Sequence, residues 1–137
     1  MIDTIVKSIK EHEGFVDHVY KDSLGFDTVG YGTKMPLSKQ ECSMILEHRL
    51  KQKIKHLQDA KPFIVSLPNP VQEVLYEMSY QMGVVGVLKF KNTWRYLEDW
   101  EFKKASEEML DSKWARSDSP RRARELSDRL REVVKND

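Results

Sequence analysis

The sequence predicts an α+β, mostly helical protein, in which a small β-hairpin lobe and a larger helical lobe are joined by one long helix. Three patterns in the 137 residues predict this fold class. Residues 15–32 alternate with a period of two and contain turn-forming glycines. Residues 38–60 hold one apolar helical face for about five turns. Residues 61–137 show a succession of shorter apolar helical stripes.

The N-terminal part is expected to contain a first helix over residues 3–13 and a small β lobe over residues 14–37. Gly14 is a natural stop for the helix, whose one buried stripe would consist of Ile2, Ile5, Val6 and Ile9. In the β lobe we expect a strand at Val16–Lys21, a turn at Ser23–Gly25 and a strand at Phe26–Gly30.

The connecting helix is expected over residues 38–60, because Ser38 and Glu41 form a capping-box pattern at its start. Its apolar face would contain Cys42, Ile45, Leu46, Leu50, Ile54 and Leu57. The helical lobe follows over residues 61–137. There Asn69-Pro70 begins a helix that Gly83 ends, and its apolar stripe is Val71, Val74, Leu75, Met78 and Met82. Further helices are expected near Thr93–Leu97, near Glu101–Lys113 and from Ser119-Pro120.

Composition excludes several function classes. The net charge of +1 gives no electrostatic signature of nucleic-acid binding. No apolar run approaches the roughly 18 residues of a spanning helix, so we expect no stable membrane insertion. The single cysteine, Cys42, excludes an intramolecular disulfide and is expected to be a small core residue. The N-terminus does not resemble a signal peptide, which predicts synthesis in a reducing cytoplasm.

Two acids carry the chemical hypothesis. Glu13 is expected in the last turn of the first helix, where unpaired carbonyls favour its protonated form. Asp22 and Thr28 are expected on the hairpin, and they share one face only if cross-strand partners sum to an even number. A protonated acid opposite an ionised one is the minimum apparatus for hydrolysing a glycosidic bond. A metal site at His12, Glu13 and His18 is not expected, because the spacing is not that of HExxH.

Three blocks of the sequence resemble a known family. The first is Glu13, Asp22 and Thr28 followed by GYG, the second is MSYQMGVVGVLKFKNTWRYL, and the third is SKWARSDSPRRARE. In this order they resemble the phage lysozymes (endolysins) of the T-even type, glycoside hydrolase family 24. The resemblance covers nearly the whole chain. It implies a lysozyme-like fold of two lobes and a muramidase that needs no cofactor and no metal.

The resemblance also implies roles for individual residues. Glu13 would donate a proton to the leaving oxygen, and Asp22 with Thr28 would activate water in an inverting reaction. Arg122 matches a basic residue that pairs with the catalytic glutamate. The positions that line the sugar-binding cleft correspond to Lys34, Tyr80, Gln81, Thr93 and Glu108. The chain departs from the family pattern at Leu24, Thr33 and Glu108 and in its shortened small lobe, which bears on subsite and peptide preference.

The implied partners are the glycan strands of peptidoglycan, reached from the host cytoplasm through a holin-like membrane permeabiliser, with the enzyme expected to be a monomer. Two alternatives remain open at this point. A lytic transglycosylase needs the acid but no water-activating base. A non-enzymatic module binding cell wall or nucleic acid needs neither, although the near-neutral charge weighs against nucleic acid.

Overall fold

The computed structural model describes residues 1–133, and most of them are helical. A three-stranded antiparallel sheet, with its strands in sequence order, lies in the N-terminal part. The chain divides into two compact units, residues 1–45 and residues from Leu46 onward, and the division falls inside the longest helix. The predicted α+β, mostly helical fold class is confirmed. The last four residues of the predicted helical lobe lie outside the described residues.

The helices and strands follow one another in an order close to the predicted one. They are α1 (Ile2–Glu13), β1 (Val16–Lys21), β2 (Asp27–Gly30), β3 (Thr33–Lys34), α2 (Lys39–Ala60), a 3₁₀ turn (Pro62–Ser66), α3 (Asn69–Met82), α4 (Val84–Leu88), α5 (Lys91–Glu98), α6 (Phe102–Met109), a π turn (Trp114–Asp118) and α7 (Pro120–Arg131). The sequence did not predict β3, α4 or the 3₁₀ turn, because elements of two to five residues are too short to show a period. No helix among residues 1–133 is long and apolar enough to cross a bilayer.

The sheet has the register on which the candidate site depends. Tyr20 of β1 lies opposite Thr28 of β2, and every matched pair of these strands has residue numbers that add to an even number. Thr28 in turn lies opposite Lys34 of β3. Side chains alternate along a strand, so Thr28 faces the same side of the sheet as its two neighbours, and Asp22 continues that face diagonally.

The first helix and the start of α2 differ from the expected burial. None of the side chains of α1 is buried, including its predicted apolar stripe. Within residues 1–45, all of which the structure describes, Thr28 alone is fully buried. Strands of six, four and two residues offer too little surface to cover a helical stripe. Cys42 is exposed, so its prediction as a core residue was wrong.

The start of α2 is held by the predicted capping box. The Ser38 hydroxyl accepts the backbone N–H of Glu41 at 3.1 Å, and the Glu41 carboxylate accepts the N–H of Ser38 at 2.9 Å. This second hydrogen bond lowers the pKa of the Glu41 carboxyl group. Of the predicted apolar face of α2, Leu57 is the member that is fully buried.

The unit from Leu46 onward has one apolar core, to which every helix from α2 to α7 contributes. In α3 the predicted stripe is buried except for Met82, which is half-buried, and the helix ends at Gly83 as expected. Asn69 is the first residue of the helix as expected, and no side-chain hydrogen bond caps this end. The largest fully buried side chains are Leu57, Ile64, Leu75, Met78, Leu97, Met109, Leu126 and Leu130.

Candidate active site

The first acid, Glu13, lies at the end of α1 against a glycine of the sheet region. Gly14 stops the helix with a φ of 68°, a left-handed conformation that glycine adopts without strain. A Cβ atom at Gly32 would lie 2.7 Å from both Cδ and Oε2 of Glu13. The carboxyl group therefore packs on bare backbone, and the small residue between β2 and β3 makes room for it.

The second acid, Asp22, lies at the turn between β1 and β2 and is held from two sides. Its Oδ1 accepts the backbone N–H groups of Leu24 at 2.9 Å and Phe26 at 2.8 Å. Its Oδ2 accepts a hydrogen bond from the Lys34 ammonium group. The lysine hydrogen bond, followed by that from Phe26, lowers the pKa of the Asp22 carboxyl group. Asp22 is thereby stabilised as a carboxylate, the form that a general base requires.

The hydroxyl group of Thr28 lies on the same face of the sheet as Asp22. Thr28 is fully buried, and its Oγ1 donates to the carbonyl oxygen of Phe26 at 2.9 Å. With its hydrogen engaged, the oxygen can act as an acceptor, and the Lys34 ammonium group reaches it at 3.4 Å. The structure thus brings together Glu13, Asp22, Thr28 and Lys34 within one small unit.

Three of the other predicted site residues line one pocket in the helical unit. The pocket has a volume of about 770 Å³, and Gln81, Thr93 and Glu108 are among its lining residues. The Gln81 side chain is fixed there, since its amide nitrogen donates to Ser119 at 2.7 Å and its oxygen accepts from Trp114 at 3.0 Å. Such a wall of fixed polar groups beside an indole can bind a sugar or a peptide.

The remaining predicted residues of the helical unit lie elsewhere. Tyr80 is exposed and lies outside the pocket that contains Gln81. It lines one groove with Arg49, Gln52 and Lys53 and a second groove with Arg122. The Nε of Arg122 donates to Glu77 at 2.8 Å, so its partner within this unit is a glutamate of α3. The roles predicted for Tyr80 at the substrate and for Arg122 at Glu13 stay predictions.

Sequence reasoning missed three features of these sites. Gly32 is one of the turn-forming glycines of residues 15–32, and its close approach to Glu13 cannot be read from the neighbouring residues. Trp114 is both buried and part of the pocket wall, and its residue type alone does not indicate this second role. The hydrogen bond from Lys34 to Asp22 has a signal in the sequence if a third strand is assumed. An even register of that strand places Lys34 on the same face of the sheet as Thr28.

The residues described here have no grouping of three or more histidine, cysteine or acidic side chains suited to a metal ion. His12, His18, His48 and His56 are exposed. The groups that the candidate site offers for chemistry are two carboxyl groups, a hydroxyl group and a lysine.

An acid at a helix terminus and a second acid at a turn of a small sheet, both within the unit of residues 1–45, match the apparatus of glycoside hydrolases. A model of the phage lysozyme family matches residues 10–132, and the chain belongs to that family. The chain is also similar to the probable T4-type lysozyme 1 of Dictyostelium discoideum, with 27% identity over 146 residues that cover 83% of this chain and 86% of that protein. The chain is thus a glycoside hydrolase of the lysozyme type whose substrate is peptidoglycan, and the predicted family and enzyme class are confirmed.

Proposed function

We propose that this lysozyme hydrolyses the β-1,4 bond between N-acetylmuramic acid and N-acetylglucosamine in peptidoglycan, with inversion at the anomeric carbon. The observation that carries the proposal is the placement of Asp22 and Thr28 on one face of the sheet. The even register of β1 and β2 supports this placement. An acid on its own would serve a transglycosylase equally well, whereas a base paired with a hydroxyl group favours the attack of water.

In the proposed reaction Glu13 is the general acid. Its carboxyl proton passes to the glycosidic oxygen as the bond from that oxygen to the anomeric carbon breaks. Water attacks the opposite face of the sugar, forms the new C–O bond and loses a proton to Asp22. In an inverting enzyme the two carboxyl groups stand roughly 6.5–9.5 Å apart, so that this water fits between base and sugar.

Thr28 is proposed to orient the attacking water. Its hydrogen is committed to the Phe26 carbonyl group, so its oxygen can accept a hydrogen from water. A water molecule that donates one hydrogen to Asp22 and the other to Thr28 directs a lone pair at the anomeric carbon. Arg122 is proposed to orient Glu13, and this role is supported by the family resemblance alone.

The pocket in the helical unit is proposed to bind part of the peptidoglycan substrate. Gln81, Thr93 and Glu108 would contact it. The family resemblance adds Tyr80 as a further substrate contact and places Lys34 at another such position, although Lys34 donates a hydrogen bond to Asp22 in the structure. The enzyme is proposed to act as a monomer that accumulates in the host cytoplasm. It would reach the wall after a holin-like protein permeabilises the membrane, and host lysis would follow.

The test combines turbidity loss of permeabilised bacteria with analysis of the released fragments. Wild-type protein should clear the suspension and release reducing muramic acid ends, with the α anomer first seen by NMR. Glu13→Gln should lose about 100- to 10,000-fold in rate, the range of general acid catalysis. Anhydro-muramic ends would instead show a transglycosylase, and equal clearing by the Glu13→Gln variant would contradict the proposed acid.

The matched control is Glu11→Gln. Glu11 lies on the same helix and is exposed, and it lines a groove with Asp3, Lys7 and Tyr31 that does not include Glu13. This variant loses the same charge two residues away and should clear bacteria at the wild-type rate. Loss of activity in both variants would indicate a general effect of charge on wall binding rather than proton donation.

A further inference from the structure

The β3 strand contributes a lysine to the catalytic face of the sheet. β3 consists of Thr33 and Lys34 alone, and its register places Lys34 directly opposite Thr28. From there the ammonium group donates to Oδ2 of Asp22 and comes within 3.4 Å of the Thr28 hydroxyl oxygen. It therefore touches both groups to which the attacking water is assigned.

We propose that Lys34 is a positioning residue, whose ammonium group orients the Asp22 carboxylate toward Thr28 and keeps it in the charged form. The proposal rests on the proposed function, because it takes Asp22 as the base. It replaces the role of a simple sugar contact, which the family resemblance implies for this position.

The two carboxylate oxygens of Asp22 have different hydrogen-bond partners, and Lys34 binds Oδ2. Oδ1 accepts two backbone N–H groups, from Leu24 and Phe26, and these fix one edge of the carboxylate. Oδ2 is the oxygen left to receive a proton from water. With Lys34 on this oxygen, rotation of the carboxylate about its axis is prevented, while a carboxylate oxygen retains a second lone pair for the water.

Charge supports the same assignment. The bond from Lys34 lowers the pKa of Asp22, and in return the pKa of Lys34 is raised, mainly by its hydrogen bond to Asp22. Tyr20 and Glu13 also face the ammonium group and raise its pKa further. The nearby pair of Lys21 and Asp27, joined at 2.7 Å, occupies the next cross-strand position and points to the other face of the sheet.

The degree of burial fits a positioning role. The Asp22 side chain is 15% exposed, whereas that of Lys34 is 55% exposed. The lysine therefore covers the carboxylate from the solvent side and remains partly solvated itself. An ammonium group in this position opposes protonation of Asp22, so the base stays ionised to a lower pH than it would without the lysine.

The experiment compares Lys34→Met, Lys34→Arg and wild type by two measurements. Carbon NMR follows the titration of the Asp22 carboxyl group directly, and kinetics on soluble peptidoglycan strands between pH 4 and pH 8 give kcat and KM. In Lys34→Met, Asp22 should titrate at a higher pH than in wild type. The ratio of kcat at pH 4 to kcat at pH 7 should fall below that of wild type, because more of Asp22 is then protonated at pH 4, and kcat at pH 7 should fall about tenfold.

Lys34→Arg should restore most of both properties, since it keeps the positive charge and a donor. Lys21→Met is the matched control, because it loses the same charge from the same hairpin without touching Asp22. It should leave the titration of Asp22 and the pH profile near those of wild type.

Two results would overturn the proposal. One is an unchanged titration of Asp22 in Lys34→Met. The other is a raised KM with an unchanged kcat, which would make Lys34 a sugar contact. Asp22→Asn separates this inference from the proposed function. Full activity of that variant would refute Asp22 as the base. The NMR titration of Lys34→Met would still decide whether Lys34 lowers the pKa of the Asp22 carboxyl group.

Discussion

A Cβ atom on Gly32 would stand 2.7 Å from the carboxyl carbon of Glu13, closer than real side chains approach. The two residues are distant in sequence, one at the end of α1 and the other just before β3. Their contact couples the candidate acid to the sheet that carries the candidate base. Gly32 also has a φ of 77°, in the left-handed region that favours glycine.

We therefore expect Gly32→Ala to lose activity beyond what its loss of stability explains. The methyl group must displace the Glu13 carboxyl group, and a misplacement of about 1 Å can cost on the order of 100-fold in rate. The measurement is the initial clearing rate of permeabilised bacteria, compared with the midpoint of urea unfolding.

Gly30→Ala provides the control for this prediction. Gly30 has a similar φ of 69°, but nothing lies within 4 Å of a Cβ atom built there. Both variants should lose about 1–3 kcal/mol of unfolding free energy from backbone strain, and Gly32→Ala alone should lose activity as well. Equal activities in the two variants would show that the contact with Glu13 is unimportant.

At Thr28 we expect the hydroxyl group to matter for the reaction more than for folding. Thr28→Val removes it, but the Phe26 carbonyl oxygen still accepts the backbone N–H of Asp22 at 2.9 Å. The loss of one hydrogen bond to the attacking water should lower kcat about tenfold or more. Thr28→Ser retains the hydroxyl group and should remain active. If Thr28→Val kept the wild-type kcat, the proposed orientation of water would be wrong.

The capping box at the start of α2 predicts a pH-dependent stability. The pKa of Glu41 is lowered in the folded protein from its ordinary 4.5, because the carboxylate accepts the N–H of Ser38. A lowered pKa contributes stability that is fully present above the ordinary value and is lost as the pH falls through the folded value. Wild type should thus be more stable than Glu41→Gln at pH 7, and the difference should shrink toward pH 3.

Urea unfolding at a series of pH values between 3 and 7 measures this difference. Glu47→Gln is the control, since Glu47 lies on the same helix and its carboxylate pairs with an exposed lysine, Lys51, at 3.2 Å. A gap between wild type and Glu41→Gln that stays constant over the whole pH range would contradict the role of the carboxylate.

The packing of α2 predicts a sharp contrast between two of its leucines. Leu57 has no exposed surface, whereas Leu46 is 46% exposed. Leu57→Ala should cost about 2–5 kcal/mol of unfolding free energy, since it removes apolar contacts and leaves a cavity. Leu46→Ala should cost less than about 1 kcal/mol. Thermal and urea unfolding of the two variants would test this, and similar losses would show that α2 packs differently in solution.

Local sequence was sufficient for the elements whose signals are local. The period of two over β1, the glycine stop of α1 and the serine and glutamate of the capping box each involve residues within a few positions of one another. Because side chains alternate along a strand, an even register was the condition for Asp22 and Thr28 to lie on one face. The structure has that register. Glu13, Asp22 and Thr28 could be selected from the sequence, because their residue types and spacing match the family.

Tertiary structure decided which of these residues touch. The bond between Lys34 and Asp22, the packing of Glu13 on Gly32 and the shared pocket of Gln81, Thr93 and Glu108 all join residues that are distant in sequence. Such contacts depend on strand register and helix packing, which a one-dimensional pattern does not encode. The exposed face of α1 has the same origin, since periodicity identifies an apolar stripe but not the surface that covers it.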